Sequence, residues 1–172
     1  MMISEDVVQR ALDEASEYSP AKATSVVKAT AEAQPELFAF VVELTEDLSE
    51  ETMSLALMML VTILRAYEIG STQPVREIDR RAMTRAFRKN ETMLETILQS
   101  PEAKLLDAVP KAFPQPHLMR FVVETVMEDE DQFTPEESGT LFLVLKTAID
   151  ALDTAAKPQR HRPKLAVVKG KD

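Results

Sequence analysis

The chain has 172 residues, 45% of them apolar, and a formal net charge of −9, a composition typical of one ordinary globular domain. It has no cysteine and only three glycines, which excludes a disulfide scaffold, a thiolate metal site, a cysteine nucleophile and a glycine-rich phosphate loop.

The sequence predicts an all-α fold of about eight helices, because a capping residue followed by proline or acids recurs before each apolar segment with helical spacing. No stretch alternates apolar and polar residues over the length of a strand. Gly70 is expected to end the fourth helix as its C′ residue, and Asn90-Glu91 is a candidate break in the fifth. In chain order, the predicted helices cover about residues 4–15, 19–33, 35–47, 49–69, 74–100, 100–110, 116–128 and 134–155.

An internal repeat is the most specific pattern in the sequence. The segment from Gln34 to Glu43 returns 81 residues later as Gln115 to Glu124, with seven of ten positions identical. After a four-residue insertion near residues 129–132 the match continues at an offset of 85, where residues 57–60 correspond to 142–145. We therefore expect a tandem duplication of a four-helix unit.

The two copies are predicted to span residues 1–70 and 88–156 and to form a single helical domain over 1–156. A basic connector helix, 74–90, joins them, and residues 157–172 form a basic, flexible C-terminal tail. Because the fourth and eighth helices are apolar nearly all round, the copies are expected to share one core as a bundle. A short stack of helical pairs, like HEAT repeats, is the alternative.

Residues that could carry catalysis are scarce. His117 and His161 are the two histidines, and their positions do not form a metal-binding pair. His117 is expected to be a surface or capping residue. Glu43 and Glu124, which correspond in the two copies, fall on a polar helix face and are expected to be solvated. We therefore predict no enzymatic activity, no catalytic or metal-binding residue and no cofactor.

Charge is distributed unevenly along this acidic chain. Between residues 75 and 90, six basic residues stand against two acids, a local charge of +4; residues 157–172 carry a local +5. Three interpretations are open: pairing with acids of the protein's own body, docking of an acidic protein, or contact with the phosphate of a nucleic acid, a nucleotide or a membrane surface. The candidate binding residues are Arg76, Arg80, Arg81, Arg85, Arg88, Lys89, Arg160, Arg162 and Lys164.

These patterns favour a helical interaction protein, an adaptor or regulatory subunit, that binds a protein partner through the connector helix and tail. A homodimer or a heteromeric complex is expected, since the two apolar helices need extensive cover. The alternative function is a nucleic-acid-associated factor that uses the same basic residues; an enzyme or small-ligand carrier with a pocket between the repeats is favoured less. Acids near the start and an apolar stretch too short for a bilayer predict a cytoplasmic protein without a transmembrane segment.

Overall fold

Several helix starts are fixed by side-chain caps of the kind the sequence predicts. The Ser49 hydroxyl accepts a hydrogen bond from the Thr52 backbone N–H at 3.1 Å. Thr134 and Glu137 form a capping box, in which each side chain accepts from the other residue's backbone N–H. These bonds satisfy N–H groups that the first helical turn leaves without a partner, which is why such starts can be located from sequence.

The computed structural model describes residues 1–99, 113–127 and 131–157, and those ranges contain seven helices and no strand. The all-α prediction is therefore confirmed. The predicted sixth helix, Ser100 to Pro110, lies outside the described residues, so the count of eight stays a prediction. The helices are α1 (Glu5–Ser16), α2 (Pro20–Ala33), α3 (Pro35–Thr45), α4 (Glu50–Gly70), α5 (Arg80–Leu98), α6 (Pro116–Met127) and α7 (Pro135–Ala156).

The fifth helix begins later than predicted. α5 starts at Arg80, and the backbone from Pro74 to Asp79 is not helical. The Asp79 carboxylate accepts a hydrogen bond from the Ala82 N–H at 2.7 Å and so caps the helix. The predicted helical connector is therefore a non-helical segment followed by a helix that is described as far as Leu98.

Gln34 fixes the segment that precedes α5. Its side-chain oxygen accepts from the Ile78 N–H at 3.0 Å, and its amide nitrogen donates to the Arg76 carbonyl at 3.0 Å. The amide thus pairs with the backbone as a neighbouring strand would. It satisfies the Arg76 carbonyl and the Ile78 N–H, which have no partner in a helix because this segment is not helical. Residues 76–78 are not helical, and this pairing supplies hydrogen-bond partners for their backbone.

Gln115 binds the N-terminal segment in the same way. Its side-chain oxygen accepts from the Ile3 N–H at 2.8 Å, and its amide nitrogen donates to the Met1 carbonyl at 2.7 Å. The same nitrogen also donates to the Asp153 carboxylate. We call the two arrangements the Gln34 clamp and the Gln115 clamp; each holds the non-helical segment just before a helix.

Gly70 does not act as the predicted C′ residue. It is the last residue of α4, and no glycine among the described residues has a positive φ. A Cβ at this position would lie 2.8 Å from Ile3 Cδ1. The glycine therefore permits a close approach, by which the buried Ile3 side chain packs on the end of α4.

The core lies around α4 and α7, which pack against each other and contain most of the buried apolar residues. α1 and α3 pack on α4, while α5 and α6 pack on α7. Two cross-contacts join these groups, because α1 also touches α6 and α3 also touches α5. We call these contacts the α1–α6 corner and the α3–α5 corner. Leu60 of α4 and Leu145 of α7 are both fully buried.

Matching contacts of this kind are expected from a duplication, but the match is incomplete. α3 also packs on α7, whereas a corresponding contact of α6 with α4 is at most marginal in the part of the chain that the structure describes. α2 packs on α3 and α4, and the segment that would correspond to it lies outside the described residues. The duplication therefore stays a prediction.

Asn90 does not interrupt α5. It is buried, and its amide donates to Asp150 Oδ2 at 2.9 Å and to Thr147 Oγ1 at 3.3 Å on α7. Lys146 Nζ lies 2.7 Å from Asp150 Oδ2 and 4.9 Å from the centre of the Phe113 ring. A polar network therefore joins α5 to α7 at the place where the sequence suggested a break.

α4 is the one helix among the described residues that is long and apolar enough to cross a membrane by length and composition alone. Half of its most apolar window is buried inside the fold, against α1, α3 and α7. A place in the protein core accounts for these apolar residues.

Candidate functional site

The basic residues that precede and begin α5 have three different environments. Arg76 lies before the helix, Arg80 is its first residue, and the others follow on its exposed surface. The sequence grouped all of them as one candidate surface because it treated residues 74–90 as a single helix. The later start of α5 separates them.

Arg76 binds the C-terminal end of α7. Its Nε donates to the Ala155 carbonyl at 3.0 Å, and its Nη2 donates to the Lys157 carbonyl at 3.0 Å. The last carbonyls of a helix have no partner within the helix and carry a partial negative charge, which a guanidinium neutralises. Arg76 therefore has a structural contact that connects the start of the α5 region to the end of α7.

Arg80 pairs with acids of α3. Its Nη2 lies 3.1 Å from Glu43 Oε2, and its Nη1 lies 3.6 Å from Glu36 Oε2. All three side chains are substantially exposed, so these pairs contribute little to the free energy of unfolding. For Arg80, the interpretation of pairing within the protein's own body is the one that the geometry supports.

Arg81, Arg85, Arg88 and Lys89 form what we call the basic strip. All four are exposed, and none has an ion pair or a side-chain hydrogen bond within the part of the chain that the structure describes. The three arginines recur at intervals of four and three residues, so they lie on one face of α5. With Thr84 and Arg80 they line a depression of about 440 Å³.

Among the described residues, no carboxylate lies within ion-pair distance of the basic strip. Like charges three and four residues apart on a helix repel each other and slightly destabilise it. An anionic group placed over the strip would remove that repulsion. The strip can therefore act as a binding surface for carboxylates or phosphates, in contrast to Arg76 and Arg80, whose guanidinium groups are already engaged.

The remaining predicted binding residues, Arg160, Arg162 and Lys164, lie outside the described residues. Lys157, where the predicted tail begins, follows the last residue of α7, and its Nζ lies 2.8 Å from Asp153 Oδ2. This contact shows that the first residue of the predicted tail is attached to the helical body.

Titratable groups with shifted pKa values lie away from the basic strip. A hydrogen bond from Arg65 lowers the pKa of Glu14 below its usual value of 4.5. Burial raises the pKa of Tyr67, and the charges of Asp153 and Asp150 add to that shift. No cluster of three metal-ligating side chains occurs in residues 1–99, 113–127 and 131–157.

Sequence reasoning missed the role of the two clamp glutamines. It used Gln34 and Gln115 to align the repeat but assigned no contact to either. The available signal was a glutamine directly before the proline that begins a helix, present in both copies. Such a position lies at a helix start, where a side chain can reach the backbone of a neighbouring segment.

In comparisons with protein-family models, curated proteins and solved structures, nothing matches this chain.

Proposed function

We propose that the protein is a non-enzymatic helical interaction protein whose basic strip binds an acidic surface of a partner protein. The observation that supports this proposal is that the arginines between residues 76 and 88 differ in whether they have a partner within the molecule. Arg76 and Arg80 are engaged within the molecule, whereas Arg81, Arg85 and Arg88 have no partner among the described residues.

The spacing of the strip suits an acidic helix. From Arg81 to Arg88 the rise along α5 is about 10 Å, since an α-helix rises about 1.5 Å per residue. Carboxylates at positions i, i+4 and i+7 of a partner helix would have the same spacing. Guanidinium groups bind carboxylates with two parallel hydrogen bonds, which adds geometric specificity to the charge attraction.

The overall charge favours a protein partner over a nucleic acid. With a net charge of −9, the protein as a whole repels a polyanion, and only a local patch attracts it. A nucleic acid presents phosphates over its full length, whereas an acidic helix presents a short row of carboxylates. The short strip matches the second kind of partner.

A charge-reversal experiment tests this proposal. The probe is a fluorescent helical peptide with glutamates at positions i, i+4 and i+7, and binding to the full chain is followed by anisotropy. Changing Arg81, Arg85 and Arg88 to Glu should weaken binding by about tenfold or more, in a salt-dependent way. The matched control reverses the exposed Arg10, Lys22 and Lys28, which changes the net charge equally on other helices.

Two results would contradict the proposal. The first is equal binding of the peptide to the strip variant, the control variant and the unchanged chain. The second is tighter binding of a DNA duplex of 20 base pairs than of the peptide at the same salt concentration, which would support the nucleic-acid-associated function instead.

We propose that the tail contributes to the same binding. Because the Lys157 carbonyl accepts a hydrogen bond from Arg76, the truncation removes residues 158–172 and keeps Lys157. Tethering two basic segments raises the effective concentration of the second once the first is bound. Truncation should leave the melting temperature nearly unchanged and weaken peptide binding; a truncated chain that unfolds would contradict this.

We also propose that the chain is a tandem duplication whose second copy begins at Arg76 rather than at residue 88. The two clamps support this: each glutamine binds the backbone N–H of an isoleucine and the carbonyl two residues before it. α5 then corresponds to α1. Superposition of the two copies in an experimental structure tests the proposal, and different crossing angles of corresponding helices would contradict it.

A further inference from the structure

A groove of about 300 Å³ lies at the α1–α6 corner. Leu12 of α1 lines one side, and Phe121 of α6 lines the other. Both side chains are only partly buried and pack against the edge of the core. His117, Arg120, Glu124 and Thr125 of α6 complete that side. None of the residues of the basic strip lines this groove.

The α3–α5 corner shows what fits beside such a phenylalanine. There, Phe87 of α5 packs edge-on against Phe40 of α3, with ring centroids 5.7 Å apart and an interplanar angle of 74°. Phe40 and Phe121 each lie six residues after a clamp glutamine, and Phe87 and Leu12 are each the eighth residue of their helix. The groove therefore lies where the α1–α6 corner has leucine instead of a second aromatic ring.

Polar groups around the groove are incompletely paired. Arg120 Nη1 lies 3.8 Å from Glu5 Oε1, a longer contact than the 3.1 Å between Arg80 and Glu43 at the other corner. His117, which was predicted to be a surface or capping residue, is partly buried, and its Nδ1 has no hydrogen-bond partner among the described residues. Within the part of the chain that the structure describes, Arg120 thus has donor capacity left for a carboxylate, beside the groove-lining Glu5 and Glu124.

We infer that the α1–α6 groove binds an aromatic side chain of a partner protein, with a neighbouring carboxylate of that partner on Arg120. The aromatic ring takes the place beside Phe121 that Phe87 takes beside Phe40. An edge-to-face pair of this kind adds stabilisation beyond the apolar area it buries. Because the groove and the basic strip share no residue, this inference and the proposed function can fail separately.

The test uses two probes on the isotope-labelled full chain, with binding followed by NMR chemical shifts. The first is N-acetyl-L-phenylalanine, which has one aromatic ring and one carboxylate. A ligand of this size should bind with a Kd on the order of 1 mM and shift the amide signals of Leu12, Arg120 and Phe121. The control, N-acetyl-L-alanine, lacks the ring and should leave those signals unchanged.

The second probe is the capped peptide Ala-Phe-Glu-Ala, which represents a segment of a protein partner. It should shift the same signals. If N-acetyl-L-phenylalanine binds in the groove and the peptide does not, the occupant is a small aromatic acid and the inference of a protein partner is wrong. If neither probe shifts these signals, there is no such site.

Matched variants are obtained by giving each corner the side chain that the other corner has at the equivalent position. Leu12→Phe should fill the groove and abolish binding of both probes, while Phe87→Leu, at the corner where Arg80 is already paired, should leave binding in the α1–α6 groove unchanged. Phe121→Leu removes the ring that the probe contacts and should also abolish binding. Because this change is independent of Leu12→Phe, the test does not depend on a single variant folding. Probe shifts that persist in both Leu12→Phe and Phe121→Leu would overturn the inference.

Discussion

The α1–α6 corner and the α3–α5 corner share a backbone contact but differ in their side chains. A glutamine clamp holds a non-helical segment at each corner, with the same pairing of donor and acceptor. The α3–α5 corner is filled by Phe87, and Arg80 there contacts two glutamates. The α1–α6 corner has Leu12 in place of the phenylalanine. Its arginine, Arg120, belongs to α6 and contacts Glu5 of α1, whereas Arg80 at the other corner belongs to α5.

This difference shows that the apolar side chain at such a corner can vary while the glutamine clamp stays the same. A buried backbone N–H and a carbonyl need one group that both accepts and donates, and the glutamine amide is well suited because it has both functions and enough length. The apolar side chain beside the clamp has no such requirement, because leucine and phenylalanine have no polar group that needs a partner and differ only in how much space they fill. The clamp is the same at both corners, and the filling is free to leave a groove at one of them.

The contacts of α1 with α4 and of α5 with α7 differ in a similar way. Arg65 Nε lies 2.6 Å from Glu14 Oε2, and both side chains are about 40% exposed. The predicted repeat aligns residue 150 with residue 65 at the offset of 85, and there Asp150, 21% exposed, binds Asn90 and the buried Lys146. The aligned positions therefore have an exposed ion pair in one case and a largely buried network in the other.

The largest expected effect comes from breaking the buried network. Asp150→Ala leaves the Lys146 ammonium, 5% exposed, without its counter-charge and should lower the free energy of unfolding by about 3 to 5 kcal/mol. Urea denaturation measures the loss. The control is the double variant Lys146→Met with Asp150→Leu, which removes both charges of the pair and should lower stability less than Asp150→Ala alone, because it leaves no buried charge without a partner. Equal losses in the two variants would mean that the network acts only by packing.

A second prediction compares the central helices. Leu60→Ala in α4 and Leu145→Ala in α7 should each lower the free energy of unfolding by about 2 to 5 kcal/mol, because both side chains are fully buried and each substitution leaves a cavity. Thermal and urea denaturation measure both variants. A loss below about 1 kcal/mol for one of them would show that the two helices do not share the core equally.

A third prediction concerns the clamps. Gln34→Leu and Gln115→Leu each leave a backbone N–H and a carbonyl without partners and should lower the free energy of unfolding by about 1 to 3 kcal/mol. Hydrogen exchange adds a local measurement: the Ile78 amide should lose protection in the first variant and the Ile3 amide in the second. Unchanged exchange at both amides would contradict the clamp mechanism.

A fourth prediction concerns the Tyr67 hydroxyl, which donates to the Ile149 carbonyl at 3.1 Å between α4 and α7. Tyr67→Phe should lower the free energy of unfolding by about 1 kcal/mol near neutral pH. Because burial raises the pKa of Tyr67, the unfolded chain ionises first as the pH rises above the usual value of about 10. The original chain should therefore lose stability above that pH faster than the Phe variant. Parallel pH profiles would contradict this.

The smallest effect is expected at the exposed ion pair. Glu14→Gln should lower the free energy of unfolding by less than about 1 kcal/mol at pH 7. Since the pKa of Glu14 is lowered in the folded state, its stabilisation is present above the usual value of 4.5 and disappears as the pH falls through the folded-state pKa. The two chains should differ at pH 7 and become equal in acid. A constant difference would contradict the assignment to this ion pair.

Local rules in the sequence determined the helices and their starts wherever a cap was legible. The capping box of Thr134 and Glu137 depends on residues three apart, so it is readable without a fold. The start of α5 was misjudged because Pro74 also resembles a helix start, whereas the contacts that hold residues 76–78 outside the helix come from Gln34, more than 40 residues away, and from the end of α7. The break expected at Asn90 failed for a similar reason, since its partners lie on α7.

For the candidate site, the sequence determined that basic residues cluster around the start of α5 and again in residues 157–172, while the rest of the chain is acidic. Only the tertiary structure decided which of them are engaged, because the Arg76 and Arg80 contacts connect residues far apart in the chain. The groove beside Phe121 likewise depends on which helix packs on α6. Charge and helical period are properties of neighbouring residues, whereas a free guanidinium or an unfilled corner depends on what the fold brings next to it.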